Sequence, residues 1–174
     1  MLNNIIMLPK TIALTTAECG QEGAFFNPAN NTITMCYELM DGFLIQAADL
    51  QYDEMQTHKY FFDVFTFVFL HELGHALVHV LDLPITGKEE DVVDQLAVVM
   101  ILADEDDEDD KEFKERIFRV NSAAIWFELK MQEGYGPESY AGVHSLNAQR
   151  FHNLLCWMYG SDPANLEEFV YGMG

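Results

Sequence analysis

The pentapeptide His71-Glu72-Leu73-Gly74-His75 constrains this chain more than any other feature, because it places two histidines four residues apart within a long apolar segment. That segment has the pattern of a helix, on which positions i and i+4 lie about 40° apart around the axis and about 6 Å apart along it. Two imidazoles so arranged can bind one metal ion, and HExxH on a helix is typical of a zinc site whose Glu acts as general base. The motif therefore predicts that His71 and His75 bind zinc and that Glu72 is catalytic.

A purely structural interpretation of the motif is that His71 and His75 are core histidines in a buried helix. Glu72 argues against it, since burying an unpaired carboxylate would cost on the order of several kcal/mol. Beside a divalent cation and its water, the same carboxylate has a chemical role. We therefore favour the metal site.

A third protein ligand is expected, because catalytic zinc has three of them and one position for water. The longer pattern HExxHxxGxxH is absent, since Val78 and Leu81 occupy its Gly and His positions. His79 lies one turn past His75, so its Cα is about 12 Å along the axis from that of His71, too far to share one ion. The third ligand must come from another segment.

Acidic residues open the next predicted helix. Thr86 and Glu89 match a capping box, with Thr86 as N-cap and Glu89 bonded to the backbone. Glu90 is then the best candidate for the third ligand, and Asp94, one turn later, can accept a hydrogen bond from a ligating imidazole. Asp91 and Asp94 remain alternative ligands, and first-turn acids also stabilise a helix dipole.

The composition limits the partners of the protein. Nine Lys plus Arg stand against 29 Asp plus Glu, which gives a net charge of −20. Nucleic acids and anionic membrane surfaces would be repelled, so we expect neither as a partner. The longest apolar run, Val64 to Leu70, is far shorter than a membrane span. The 174 residues suit a single domain, residues 1–174, with a real hydrophobic core.

The three cysteines do not form a disulfide framework, because their number is odd. Cys19 and Cys36 could form a disulfide if their strands are neighbours, and buried free thiols are the alternative. Met1 to Pro9 lacks the basic region and the apolar stretch of a secretory leader. We therefore expect a cytoplasmic protein unless the sequence given is trimmed.

The N-terminal segments have β patterns and the later ones helical patterns. Thr11–Thr16 predicts a strand, and Ala24–Asn27 with Thr32–Leu39 predicts a hairpin that ends before Asp41-Gly42. The predicted helices run from Asp53 to Leu81, from Thr86 to Ala103, from Lys111 to Gln132 and from Ser145 to Tyr159. The acidic run Asp104–Asp110 is better explained as a solvated connector than as a calcium loop.

Several segments together resemble a known family. They are HELGHALVHVLDLPITGKEEDVVDQ, AECG and ITMCYEL before it, and SLNAQRFHNLLCWMYGSDP after it. HELGH followed by a Glu-x-x-x-Asp helix is similar to the gluzincin arrangement, and the whole is similar to a family of bacterial metallopeptidases defined by sequence and of unknown function. The resemblance implies a zincin-like α+β fold, with a small sheet packed on the active-site helix. It also implies that the strand Thr32–Leu39 binds substrate as an added strand, and members of that family are often exported.

The mechanism expected for such a site is hydrolysis of peptide bonds. Zn²⁺ held by His71, His75 and Glu90 would activate a water, and Glu72 would act as general base. An oxyanion donor is also needed, and His144 is our candidate.

Other residues could serve that role. Tyr135 and Tyr140 are alternative donors, and Arg150 is either a donor or one half of a buried ion pair. A different class of function also remains open, a catalytically silent zincin-fold protein that binds a peptide or partner around a structural metal. A zinc hydrolase acting on a non-peptide amide is a third.

Overall fold

The computed structural model describes residues 7–103, 110–132, 134, 136 and 144–171. A small three-stranded sheet comes first and helices follow, so the predicted α+β class is confirmed. The strands are β1 (Ala13–Ala17), β2 (Ala24–Asn27) and β3 (Thr32–Cys36). The helices are α1 (Tyr37–Asp49), α2 (Glu54–Leu81), α3 (Glu89–Leu102), α4 (Asp110–Gln132), α5 (Asn147–Ser161) and α6 (Pro163–Tyr171).

The central strand of the sheet is β3, which pairs in parallel with β1 and antiparallel with β2. The predicted hairpin is therefore confirmed, with Phe26 opposite Ile33 in its register. Ile33 and Met35 are fully buried against the helices. The prediction that the strand Thr32–Leu39 binds substrate as an added strand was wrong. Its structural counterpart, β3, has a neighbouring strand on each side and cannot accept another. Only the outer strands have an edge that could do so.

Two helices were missed by the sequence patterns. The strand predicted to reach Leu39 ends at Cys36, and α1 follows without a break. Gly42 lies inside this helix, where glycine is normally unfavourable. A Cβ built on Gly42 would lie 3.0 Å from Oε1 of Glu22, so the glycine leaves room for that side chain. The second missed helix, α6, begins at Pro163, a residue favoured at the first helical position.

The long helix α2 forms the centre of the core. Asp53 caps it by accepting from the N–H of Gln56, while the Gln56 side chain accepts from the N–H of Asp53. The helix ends at Asp82, which is in the left-handed conformation (φ 52°). By length and composition α2 could span a membrane, yet 56% of its most apolar window is buried within the protein. That burial is typical of a core helix.

A buried acid ties α2 to α4. Asp63 is bound by Lys59 at 3.0 Å, by Arg119 at 3.3 Å and by the Ser122 hydroxyl at 3.1 Å. The last two partners are on α4. This network fixes how α4 lies along α2, and so where the aromatic residues of α4 face the cleft.

The predicted start of α3 was wrong. No side chain caps this helix, which begins at Glu89 with Lys88 as N-cap, and Thr86 lies outside it. Glu89 does not reach back to the backbone as a capping box requires, because its carboxylate bonds Nδ1 of His75 at 2.7 Å. A tertiary contact has therefore displaced the local one.

Cys19 and Cys36 form a disulfide, so the alternative of free thiols is wrong for this pair. The remaining Cys156 is free and exposed. The bridge ties the loop after β1 to the end of β3, and the N–H of Cys19 donates to both carboxylate oxygens of Glu38 (3.0 and 3.1 Å). The N–H of Glu38 itself and that of Cys19 hold the pKa of this carboxyl below its usual value. Disulfides persist mainly in oxidising compartments.

Helices α2 and α3 are in close contact at Gly74, within the HELGH pentapeptide. A Cβ built on Gly74 would lie 2.7 Å from Cβ and 3.3 Å from Cα of Val93 on α3. Real side chains do not approach so closely, so only glycine permits this distance between the two helices. Glu90 lies three residues before Val93 and Asp94 directly after it, so this contact brings both acids to the histidines.

We predict that Gly74→Ala pushes α3 away from α2. The added methyl should lower the free energy of unfolding by about 1–3 kcal/mol, as measured by urea denaturation, and should weaken zinc binding in competition with a chromogenic chelator. Gly87→Ala is the matched control, because a Cβ at Gly87 meets nothing within 4 Å. Equal zinc affinity in the two variants would show that the contact does not position the ligands.

Candidate metal centre

Three side chains from two helices converge on one point. His71 and His75 project from α2, and Glu90 from the first turn of α3. Nε2 of His71 lies 3.2 Å and Nε2 of His75 lies 3.5 Å from Oε2 of Glu90. The ligand atoms of these three residues all lie within 4.8 Å of one another, a spacing compatible with one shared ion. The structure thus brings together the three predicted ligands.

The Glu90 carboxylate shows that this cluster fits a cation. Its Oε2 is buried and has no aligned hydrogen-bond donor, although ring nitrogens lie within 3.5 Å. A buried polar atom without a partner is rare in proteins. Burial opposes its charge, yet the surrounding imidazoles of His144, His71 and His75 lower the pKa of Glu90 far below its usual value. Two imidazole nitrogens and one carboxylate oxygen are a ligand set of catalytic zinc.

A second carboxylate holds each histidine of the motif by its other nitrogen. Nδ1 of His71 lies 2.8 Å from Oδ1 of Asp94, and Nδ1 of His75 lies 2.7 Å from Oε1 of Glu89. Both contacts turn Nε2 toward Glu90. Carboxylate–imidazole pairs of this kind orient metal-binding histidines and raise their basicity. Asp94 lies where the sequence predicted it, whereas the role of Glu89 was missed.

Asp94 is itself held by an arginine. Arg150 on α5 donates from Nε to Oδ2 at 2.7 Å and from a terminal nitrogen to Oδ1 at 2.6 Å, a two-pronged ion pair. Its guanidinium also lies 4.1 Å from the centre of the Phe127 ring. Of the two interpretations of Arg150 from sequence, the buried ion pair agrees with these contacts. Arg150 thus acts on the site through Asp94.

The charges of the cluster stabilise one another. Burial lowers the pKa of His71, but its contacts with the carboxylates of Asp94 and Glu90 outweigh burial, so the net pKa is raised. The pKa of His75 is raised to about 9, because Glu90 and Glu89 outweigh its burial. Burial raises the pKa of Asp94, and the bonds to His71 and Arg150 lower it by more. A divalent cation would replace these protons as the positive partner of the acids.

Glu72 points into the cleft beside this cluster rather than into it. It is buried, and it lines both cavities that meet at the site. Burial raises the pKa of Glu72, while the neighbouring His71 and His75 and the backbone N–H of Phe26 lower it by less. A carboxylate with a raised pKa is suited to accept a proton near neutral pH.

His144 reaches the cluster from the segment before α5. Its Nε2 lies 3.0 Å from Oε2 of Glu90, and its ring is stacked 6.2 Å from that of His71. Its side chain is 55% exposed, and it does not belong to the set of atoms within 4.8 Å of one another. The geometry therefore favours a donor at the open side of the site over a ligand.

Asp91, the other alternative ligand predicted from the sequence, is held by a residue outside the cluster. Asp91 accepts a hydrogen bond of 2.6 Å from Ser145, the residue after His144, so its carboxylate faces that segment and not the cluster. No sequence pattern pointed to this contact. The alternative donors Tyr135 and Tyr140, and the acidic residues 104–109, lie outside the described residues.

The site opens into a cleft with one cavity on each side. One cavity, of about 280 Å³, extends toward α4 and α5, and the other, of about 570 Å³, extends toward the end of α2. Both are lined by Ala24, Glu72 and His144. An extended molecule can therefore pass across the site from one cavity into the other.

We predict that Asp94→Asn weakens zinc binding about 10- to 100-fold, because His71 loses the carboxylate that orients it. Competition with a chromogenic chelator measures this. Asp91→Asn is the matched comparison, since it removes a neighbouring acid whose carboxylate faces Ser145. An unchanged affinity in Asp94→Asn, or a large loss in Asp91→Asn, would contradict the assignment.

Comparison with known proteins gives one family. A search of curated proteins and a search of solved structures each found no match. One family model, DUF4344, described as "Putative metallopeptidase", matches residues 1–173, nearly the whole chain. The implied metal agrees with the His71, His75 and Glu90 cluster. By this match over nearly the whole chain, the protein belongs to the DUF4344 family.

Proposed function

We propose that this protein is a zinc-dependent endopeptidase. The observation that carries the proposal is the convergence of His71, His75 and Glu90 beside the buried Glu72, in a cleft that continues on both sides. A structural zinc site is closed by four protein ligands, whereas a catalytic site keeps one position open. Three converging ligands with a non-ligating carboxylate next to them fit the second kind.

The chain divides the chemistry among its residues. When bound, zinc would act as a Lewis acid and lower the pKa of a coordinated water to about 7. Glu72 would accept the proton of the attacking water and deliver it to the leaving amine. His144 would donate a hydrogen bond to the oxygen of the scissile carbonyl as its charge develops. Asp94 and Glu89 keep the two imidazoles oriented throughout.

The outer edge of β2 is the surface that would hold the substrate backbone. The carbonyl of Gly23 accepts a hydrogen bond from the N–H of Cys36. The backbone groups of the odd-numbered residues of β2 therefore form the hydrogen bonds with β3. Backbone groups alternate along a strand, so those of Ala24 and Phe26 face outward, and the N–H of Phe26 lies by Glu72. An added peptide strand would bond Ala24 directly in front of the candidate metal centre.

Replacing Glu72 tests the proposal most directly. We expect Glu72→Gln to bind one zinc per chain like the wild type. Its rate of peptide hydrolysis should fall about 10²- to 10⁴-fold, because the general base is absent. Cleavage of a mixed peptide library, followed by mass spectrometry, measures activity, and elemental analysis measures zinc.

Two results would contradict it. If zinc-loaded wild type cleaves no peptide but binds peptides equally with and without the Glu72 carboxylate, the protein is the catalytically silent binder. If it cleaves only small non-peptide amides, the substrate class is wrong while the metal centre stands.

We further predict that His144→Ala lowers kcat about 10²- to 10³-fold and leaves zinc affinity unchanged, because a donor to the developing charge is removed and no ligand is lost. His152→Ala, which replaces an exposed histidine on α5, is the control and should leave both quantities unchanged. A loss of zinc from His144→Ala would make His144 a ligand.

A further inference from the structure

We propose that the cavity toward α4 selects the residue that follows the cleaved bond, and that Glu22 makes it prefer tyrosine. The inference rests on the proposed peptidase function and adds a substrate class to it. Glu22 lies in the loop that the Cys19–Cys36 disulfide closes, just before β2. It lines this cavity together with Lys130 of α4.

The direction of β2 decides which substrate residue enters the cavity. Gly23 lines the cavity toward α4, Phe26 and Pro28 line the other one, and Ala24 between them lines both. Antiparallel pairing is the more stable arrangement of two strands. A substrate antiparallel to β2 runs from the Pro28 end to the Gly23 end, so its residues after the cleaved bond lie in the cavity toward α4.

The walls of this cavity fit a large apolar side chain. They are formed by apolar residues of α1, α2 and α4, namely Leu39, Phe67, Val68, Trp126 and Phe127. The volume of about 280 Å³ is at the small end for ligand pockets. One aromatic side chain, rather than a larger ligand, is the matching occupant.

Polar residues also line this cavity, and two of them, Glu22 and Lys130, form an ion pair. Nζ of Lys130 lies 2.6 Å from Oε2 of Glu22. Gly42 of α1 makes room for the Glu22 side chain, which would otherwise meet a Cβ at 3.0 Å. The Glu22 side chain is 48% exposed, so its carboxylate can accept a second hydrogen bond while it holds Lys130. Arg150 also lines the cavity, but its guanidinium is bound to Asp94.

The pair discriminates among aromatic and charged side chains. A phenylalanine ring would desolvate the Glu22 carboxylate without forming a hydrogen bond to it. A tyrosine hydroxyl would instead donate a charge-assisted hydrogen bond to Glu22. A glutamate side chain would be repelled by Glu22, and a lysine side chain by Lys130. The cavity therefore selects a neutral side chain that is apolar along its length and ends in a donor.

Peptides that differ only at the residue after the cleaved bond test the inference. Library digestion first locates cleaved bonds, and one cleaved peptide is then made with Tyr, Phe, Glu or Lys at that position. We expect kcat/KM for Tyr to exceed that for Phe by about three- to tenfold, the effect of one hydrogen bond.

Variants identify the residue responsible. Glu22→Met should reduce the Tyr-to-Phe ratio to about one, whereas Lys130→Met should keep the ratio and raise kcat/KM for the Lys peptide. Glu115→Met is the matched control, since Glu115 is a 55% exposed partner of Lys111 on α4 and does not line the cavity. It should leave every ratio unchanged. Circular dichroism checks that each variant is folded, and Glu22→Gln, an isosteric change, should also lower the ratio.

The outcomes separate this inference from the proposed function. Cleavage with equal rates for Tyr and Phe, or a ratio that survives Glu22→Met, overturns the inference and leaves the peptidase standing. If no peptide is cleaved, the peptidase proposal fails, and dissociation constants for zinc-loaded Glu72→Gln protein decide the inference alone. Equal affinities for the Tyr and Phe peptides would then overturn it, and a preference lost in Glu22→Met would support it.

Discussion

The close contact of Gly74 with Val93 is the constraint on which the candidate metal centre depends. The two histidines lie on one helix by virtue of their spacing alone, but a third ligand must be carried to them by another helix. A Cβ built on Gly74 would lie only 2.7 Å from Cβ of Val93. The backbone of α2 therefore packs directly against the Val93 side chain of α3, with no side chain of its own between them. The separation of α2 and α3 then places the acids on either side of Val93 against the imidazoles.

A chain of buried charges holds this arrangement. Arg150 binds Asp94, Asp94 binds His71, and His71 faces Glu90, so three helices meet through polar contacts in an otherwise apolar interior. Such groups are costly to bury unless each has a partner. Within this network, Oε2 of Glu90 is buried without an aligned hydrogen-bond donor. A cation there would complete the network and would stabilise the fold by binding only the native state.

Patterns with a short range could be predicted from the sequence, and contacts between distant segments could not. The HExxH spacing and the apolar periodicity identified α2, and the lone acids at the start of a buried helix identified Glu90 and Asp94. The same logic failed at Thr86 and Glu89, because a capping box is a local pattern and His75 binds Glu89 from another helix. It failed at Gly42 because a glycine inside a helix is explained only by Glu22, twenty residues away in sequence. The edge position of β2 required the strand order, which no pattern within a single strand contains.

The Cys19–Cys36 disulfide anchors one wall of the cleft but not the candidate metal centre. The candidate metal ligands His71, His75 and Glu90 lie on α2 and α3 and meet through the packing of these two helices. The opposite wall, with Glu22 and the start of β2, is anchored by Cys19 and Cys36. Reduction of the disulfide would thus leave the His71, His75 and Glu90 cluster in place, while it loosens the wall that aligns a peptide in the proposed function. For the proposed peptidase, metal content and catalytic activity would then be separate properties of a preparation. A thiol reagent added to protect the protein would lower the activity without changing the metal content.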